Sequence, residues 1–319
     1  MTGAAGFISS ALIEWLNSSC PEYKVIAADD FSEVKKQPNF IHKKIHRRIH
    51  RDELFDQLDE MASEIAWVFH LGARTDTTEQ DTLIFDRLNL HYSQQMWRFC
   101  SKNEIPLVYA SSAATYGMGE HGYEDDNTLC TKLKPLNPYG RSKNDFDIWA
   151  MQQAVKPPFW YGLKFFNVYG PNEYHKSRMA SVVMHAYKQI KETGQMNLFM
   201  SHRDDIAHGH QARDFIYVKD VVKMCLFFLD EIPESGLYNI GTGQARTFLD
   251  LVNAVFDSLG LEAKIHFIPT PEDIRDTYQY FTEAKMDKLR QAGYLASFSS
   301  LEEGVDDYVQ NYLRSSTIY

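Results

Sequence analysis

The chain has 319 residues, 44% of them hydrophobic and 24% charged, which suits a globular protein with one large α/β unit or two domains. A formal charge of -10 argues against general nucleic-acid affinity and leaves room only for a local basic pocket that takes a phosphorylated ligand. Cys20, Cys100, Cys130 and Cys225 are scattered without metal-ligand spacing, no apolar run reaches the roughly 20 residues of a membrane span, and no signal-peptide pattern is present. The expectation is a soluble cytoplasmic protein with reduced thiols and no nucleic-acid or membrane partner.

TGAAGFISSAL (2–12) places Gly3 and Gly6 ahead of an amphipathic helix predicted over 7–18. Glycines there let the backbone approach a pyrophosphate, which would sit on the helix N-terminus. Ser9 stands where a third glycine would pack helix against sheet. KVIAA (24–28) reads as a buried strand, and Asp29 at its end is placed to accept a hydrogen bond from a ribose hydroxyl. The strand expected before Thr2, central in such a sheet, is missing. Met1 is therefore expected to mark a truncated or misassigned start, with a few more apolar residues upstream; a chain truly without that strand is expected to lose the middle pairing of its sheet and some cofactor affinity. HKKIHRRIH (42–50) reads as a solvated helix or loop face.

AWVFHLG (66–72), PLVYASS (106–112) and YGLKFFNV (161–168) read as further buried strands, with a helix over 88–103 between the first two. Helices are predicted around 179–193, 218–231 and 246–260. The fold class is α/β: a Rossmann-type doubly wound parallel sheet, its first strand apparently absent, with a smaller interleaved C-terminal substrate domain. The predicted division assigns 1–168 and 213–242 to the nucleotide-binding domain, and 169–212 and 243–319 to the substrate domain.

NPYGRSK (137–143) is the most informative segment. Asn137 is a good N-cap and Pro138 suits the first helical position, so a helix is predicted to begin here. Tyr139 and Lys143, four residues apart, then share one face. A phenol with a pKa of about 10 is a poor base near neutrality, and a neighbouring cation favours its ionised form. The pair is thus a device for taking a proton from an alcohol. Y-x-x-x-K arises often by chance, and a solvent-exposed pair is the plain alternative wherever it stands alone.

The glycine loop, SSAATYG (111–117), YGRSK (139–143) and FFNVYGP (165–171) together resemble the extended short-chain dehydrogenase/reductase family that acts on nucleotide sugars. Within it, HKSRMASVV (175–183), RDFIYVKD (213–220), YNIGTG (238–243) and TYQYFTEA (277–284) are similar to the branch that epimerises ADP-linked heptoses at C6″, a reaction feeding lipopolysaccharide inner-core synthesis. The resemblance implies an active site of Ser112, Tyr139, Lys143 and Lys176. It implies NADP as cofactor, with NAD as the other candidate: Gly3, Gly6, Phe7 and Ile8 at the pyrophosphate, Asp29 and Asp30 at the adenosine ribose, and Lys36 at the 2′-phosphate. Leu71, Gly72, Ala73, Arg74, Thr75, Asn89 and Val168 would flank the cofactor, together with Tyr139, Lys143 and Lys176. Asn167, Arg178, His185, Arg213 and Tyr278 would contact the ADP-heptose substrate with Ser112, under a loop made by Phe199, Met200, Ser201 and His202. A homo-oligomer is implied on the same ground.

Three positions depart from the pattern. Asp30 adds negative charge where an asparagine is common, Arg178 replaces a small residue, and SHRDDIAHGHQA (201–212) is a long loop, read as a solvated lid and not a metal site. The implied chemistry is transient oxidation of the carbinol to a ketone and reduction from the other face, with Tyr139 and Lys176 as the two acid/base groups. Two other readings stay open. A nucleotide-sugar 4-epimerase or dehydratase shares the Ser/Tyr/Lys set, although Ala113 and Ala114 follow Ser112 where a dehydratase would carry acids. A cofactor-binding but non-catalytic homologue is the third.

Overall fold

In the computed structural model, which describes residues 1–275 and 278–319, the apolar runs become strands laid side by side. These are β1 (Ile26–Asp29), β2 (Arg47–His50), β3 (Val68–His70), β4 (Leu107–Ser112), β5 (Trp160–Phe165), β6 (Asn167–Tyr169), β7 (Met196–Phe199), β8 (Ala212–Tyr217), β9 (Gly236–Ile240), β10 (Ala245–Thr247) and β11 (Ile265–Ile268). The main sheet is parallel throughout. β2 pairs with β1, and β3, β4, β5 and β9 pair in that order. Thr2 joins the two groups by bridging Ala28 of β1 and His70 of β3. A second sheet runs β10-β8-β6, and β11 pairs with β7.

The centre of the main sheet is therefore held by two residues. The Met1 ammonium donates to the Ile26 carbonyl at 2.7 Å, Ala28 N–H to the Met1 carbonyl at 2.8 Å, and Thr2 N–H to the Phe69 carbonyl at 2.9 Å. Beside Met1, between β1 and β3, lies an apolar cavity of about 320 Å³ lined by Leu16, Ile26, Leu58, Trp67 and Met96. The sheet stays continuous through Thr2, so the expected loss of its middle pairing is partial.

The helices are α1 (Phe7–Ser19), α2 (Leu54–Met61), α3 (Thr82–Phe85), α4 (Tyr92–Lys102), α5 (Pro138–Gln152), α6 (Val182–Thr193), α7 (Val218–Asp230) and α8 (Phe248–Leu259), followed by the shorter α9 (Glu272–Arg275), α10 (Asp287–Gln291) and α11 (Leu301–Tyr308). Successive side chains of a strand point to opposite faces, and the core divides accordingly. Val108 of β4 joins a cluster with Leu12 of α1 and Val222 of α7, whereas Leu107 and Tyr109 join one with Leu58 of α2, Trp97 of α4 and Phe146 of α5. Helices thus cover both faces, as a doubly wound sheet requires.

Two segments differ from the sequence reading. Arg47–His50 in the basic run is an edge strand, not a solvated helix or loop: it pairs with β1 and buries Ile49 while Arg47 and Arg48 stay exposed. The apolar run 161–168 breaks after Phe165. Asn167–Tyr169 leaves the main sheet and pairs with β8, handing the chain from one sheet to the other. Thr277, which opens the TYQYFTEA motif, lies outside the described residues.

One charged cluster locks α5 to the sheet. Lys164 Nζ lies 2.7 Å from Asp147 Oδ2 with both side chains out of solvent, and Ser111 Oγ and Tyr109 Oη donate to the same carboxylate at 2.7 and 3.1 Å. Removing one partner of a buried pair strands the other charge, a loss of about 3–5 kcal/mol. Lys164→Met should therefore lower unfolding stability by about that amount in urea titrations, and Lys164→Met combined with Asp147→Leu should recover part of it. Equal stability of the single variant and the parent would show that this ion pair does not hold the helix.

Candidate active site

At the carboxyl ends of β1 and β3 opens a cavity of about 580 Å³, where a doubly wound sheet places its ligand. Gly3, Gly6, Phe7 and Ile8 form its floor. Gly3 has φ +64, and a Cβ on it would come within 2.6 Å of Gly72 Cα, so two backbones pass here at a separation only glycine allows. Gly6 caps α1 without a side-chain hydrogen bond, and the first turn carries no acid, so the N-terminal N–H groups are left for an anion. Ser9 fits the third-glycine position by donating its hydroxyl to the Thr2 carbonyl at 3.2 Å.

Asp29 holds this floor in place. Its carboxylate accepts Ala5 N–H at 2.9 Å, Asp30 N–H at 2.7 Å and Lys36 Nζ at 3.1 Å. Asp30 accepts both donors of Ser32, and this hydroxyl, ahead of Arg51 and His50, holds the carboxyl below the usual aspartate range. Lys35, Arg51 and Arg87 complete a basic rim beside the two acids. Arg51 Nε and Arg74 Nε are buried donors without a hydrogen-bond partner among the described residues. An uncapped helix start, a glycine floor and orphaned guanidinium donors are what a dinucleotide with phosphates would satisfy, so the residues fit such a cofactor.

Leu71, Gly72, Ala73, Arg74 and Thr75 line the opposite wall. Asn89 stands behind them, fully buried: its side chain accepts Arg74 N–H at 2.8 Å, donates to the Arg74 carbonyl at 3.0 Å and reaches Ser142 Oγ at 2.9 Å. It shapes the wall and does not line it. Val168 also lies outside the lining residues, in β6.

The helix start at Asn137 is as the sequence reads: the Asn137 side chain accepts Gly140 N–H at 2.7 Å, with Pro138 in the first turn. Lys143 does not turn its charge on Tyr139. Its ammonium donates to the Ala110 carbonyl of β4 at 2.8 Å, and burial lowers its pKa to about 8 against the opposing pull of Asp147. Burial likewise raises the Tyr139 phenol, and Ser112, hydrogen-bonded to it, is the group that lowers it. Ser112 in turn accepts Ala114 N–H at 3.1 Å, which fixes its oxygen at the strand end. Tyr139 packs near Phe85 of α3, 6.5 Å between ring centroids, behind the cavity residues Ile84 and Leu88.

Lys176 reaches the cavity from the far side. It sits in the tight turn Tyr174–Met179 with its ammonium 5.4 Å from the centre of the Phe7 ring, and His175 and Ser177 line the same wall. Burial lowers its pKa and Glu173 raises it. Arg178 and His185 are exposed next to each other, His185 Nε2 lying 3.3 Å from the Arg178 carbonyl, and Asn167 is exposed in β6. His185 is therefore not a packed core histidine.

The remaining expected substrate contacts gather in a second place. Phe199 and Tyr278 meet with centroids 6.4 Å apart, and the buried Arg213 guanidinium lies 5.6 Å from the Tyr278 ring and also donates to the Gln279 carbonyl. Met200 N–H bonds the Ile268 carbonyl at 2.8 Å, Ser201 N–H bonds His208 Nδ1 at 3.0 Å, and His202 N–H bonds Tyr280 Oη at 3.0 Å, so this loop is pinned to the strands around it. An aromatic pair with a buried cation is suited to a flat, anionic ligand portion.

With this geometry in view, the comparisons with known proteins are decisive. The profile of the NAD dependent epimerase/dehydratase family matches residues 1–241. The chain belongs to that family. The ADP-L-glycero-D-manno-heptose-6-epimerase of Fusobacterium nucleatum is 46% identical, over 100% of this chain and 99% of its own length. Its namesake in Alkalilimnicola ehrlichii is 39% identical over 97% of this chain and 95% of its own. Among solved structures, the Helicobacter pylori ADP-L-glycero-D-manno-heptose-6-epimerase superposes with a TM-score of 0.81 at 26% identity, covering 98% of this chain and 94% of that one. Within the epimerase family this chain stands with the heptose 6-epimerases, and a nicotinamide dinucleotide is the cofactor class the family name carries.

Sequence reasoning missed Lys35, Arg51, Arg87, Tyr92 and His175 as cavity residues. Arg51 was legible in principle, since it follows β2 directly, and ligands lie beyond the carboxyl ends of such strands. The glycine floor supplies a test. Gly3→Ala would place a methyl against Gly72 in a left-handed conformation that costs about 1–2 kcal/mol. Titration with the reduced dinucleotide, followed by fluorescence, should show at least about a tenfold loss of affinity, about 1.4 kcal/mol. Unchanged affinity would mean that the phosphates bind elsewhere.

Proposed function

We propose that the chain epimerises C6″ of ADP-D-glycero-β-D-manno-heptose to the L-glycero form, using NADP, as a step toward lipopolysaccharide inner core. The observation that carries this reading is the placement of Lys176 on the wall of the dinucleotide cavity, in a segment matching the heptose branch, in a chain 46% identical to a heptose 6-epimerase over its whole length. A 4-epimerase has no need of that lysine.

When bound, the nicotinamide supplies a two-electron acceptor that takes hydride from the carbinol carbon and returns it to the other face of the transient ketone. The protein's part is orientation and proton transfer. Gly3, Gly6 and the first N–H groups of α1 would hold the pyrophosphate, and Asp29 the adenosine ribose. Lys143, anchored on the Ala110 carbonyl, would grip the nicotinamide ribose. Ser112 would hydrogen-bond the reacting oxygen beside Tyr139. Burial lowers the Lys176 amine and raises the Tyr139 phenol, which brings the amine closer to exchanging its proton and keeps the phenol a proton donor. Each would serve one epimer. The nucleotide part of the substrate would lie toward Phe199 and Tyr278 of the smaller domain, formed by 169–212 and 243–319, and toward Arg213 at the adjoining edge of the nucleotide-binding domain.

Tyr139→Phe and Lys176→Met should each lower ADP-heptose turnover by about 10²–10⁴ while the dinucleotide stays bound, read by epimer ratio and nicotinamide absorbance. Full turnover in both variants would remove the two-group scheme.

For NADP over NAD, the support is charge. Lys35, Lys36 and Arg51 cluster beside Asp29 and Asp30, an arrangement that favours an added phosphate despite the two acids. Lys36→Ala with Arg51→Ala should cut the ratio of NADP to NAD affinity by at least about tenfold, since a charged hydrogen bond contributes about 1.5–3 kcal/mol. An unchanged ratio in calorimetric titrations would assign the discrimination to other groups.

A further inference from the structure

The turn that carries Lys176 is shaped by a residue with no role assigned so far. Glu173 is fully buried, three residues before the lysine. Its carboxylate accepts Gly170 N–H at 3.3 Å, Ser181 N–H at 2.5 Å and Ser181 Oγ–H at 2.6 Å, and its own carbonyl accepts Lys176 N–H at 2.9 Å. The two ends of the segment 170–181 are thus stapled to one side chain. The turn between them is tight enough to force Ser177 to φ 48.

We propose that Glu173 is a positioning residue for Lys176: it fixes the turn that aims the ammonium into the cavity and supplies the negative charge that keeps this half-buried amine within reach of its proton. This rests on reading Lys176 as one of the two proton-transfer groups.

Two features separate this from a plain loop staple. The three donors on Glu173 could be met in part by a neutral amide, yet the residue is a buried carboxylate, which burial penalises unless a positive charge balances it. The balancing charge is Lys176. Among the described residues, however, Lys176 makes no contact ion pair. A contact pair would occupy the ammonium and hold its proton. A carboxylate one step away moderates the amine while leaving Nζ free over the Phe7 ring.

Few other groups can titrate in the same range. His175, pushed down to about 4 by burial with help from Lys36 and Lys176, stays neutral near pH 7, and Asp29 and Lys36 face it from the other side of the cavity. The Tyr174 and Tyr308 phenols beside Glu173 are pushed up by burial and stay protonated. Burial raises Glu173 and lowers Lys176, and each opposes the shift of the other. Loss of the carboxylate charge must therefore lower the lysine pKa further.

The test uses the dinucleotide-loaded enzyme with lysine labelled with ¹³C at the ε carbon. The Lys176 signal is the one lost in Lys176→Met. In Glu173→Gln its titration midpoint should fall by about one unit or more, with the matching limb of the pH–rate profile moving the same way. An unmoved midpoint overturns the proposal. Should Glu173→Gln fail to fold, reciprocity gives the second measurement: in Lys176→Met, Glu173 labelled at the δ carbon should titrate at higher pH than in the parent, and an unchanged midpoint is equally fatal. If the parent enzyme loads dinucleotide but does not epimerise ADP-heptose, the functional reading falls while these titrations still decide the role of Glu173.

Discussion

Asp29 Oδ2 accepts the Ala5 N–H, and the site is built outward from that hydrogen bond. A glycine-rich loop has no side chains with which to hold itself, so its shape must be imposed by neighbours. Here β1 imposes it through the Asp29 carboxylate, and β3 imposes it through Thr2, whose hydroxyl meets His70 Nδ1 at 2.7 Å and Gly72 N–H at 3.1 Å. The loop is therefore fixed to two strands at once. Because Asp29 also takes Lys36, the same carboxylate that shapes the phosphate floor sets the position of the nearest cation on the rim. Floor and rim cannot move independently.

The two buried lysine–carboxylate pairs around the site have different geometry, and the difference follows from their tasks. Lys164 and Asp147 touch, and Thr115, Ser111 and Tyr109 supply the further hydrogen bonds, so that neither charge is left unpaired. Such a pair fixes structure: Tyr109 and Ser111 flank Ala110, whose carbonyl is the seat of Lys143. Glu173 and Lys176 do not touch. The proton exchange proposed for Lys176 is incompatible with a locked contact pair, and the separation keeps charge balance without that lock.

Much of this could be read from sequence where a local rule dominates. The α5 start at Asn137-Pro138 and the glycine floor ahead of α1 are dictated by backbone chemistry within a few residues. The buried strands follow from apolar runs. What escaped depends on pairings far apart in the chain. Arg47–His50 becomes a strand only because β1 offers an edge, a partner twenty residues away that no window of the basic run contains. Tyr139 and Lys143 share a helix face as their spacing requires, yet the lysine turns to the Ala110 carbonyl, and spacing does not report what strand lies beneath a helix. Arg178 and His185 carried the family pattern onto exposed positions, whereas Phe199, Arg213 and Tyr278, widely separated in sequence, do converge.

Asn39 makes the cofactor floor and the Lys176 turn parts of one body. Its buried amide donates to the Ala5 carbonyl at 3.1 Å and to the Asn172 carbonyl at 2.9 Å, and lies 3.3 Å from His175 Nδ1. Asn172 in turn donates to Ser10 Oγ of α1 at 3.0 Å. The residue between the Asp29 clamp on one side and the Glu173 staple on the other is thus a single amide. The glycine floor and the turn that carries Lys176 therefore share one hydrogen-bond network, so the position of either is fixed with respect to the other through Asn39 and Asn172.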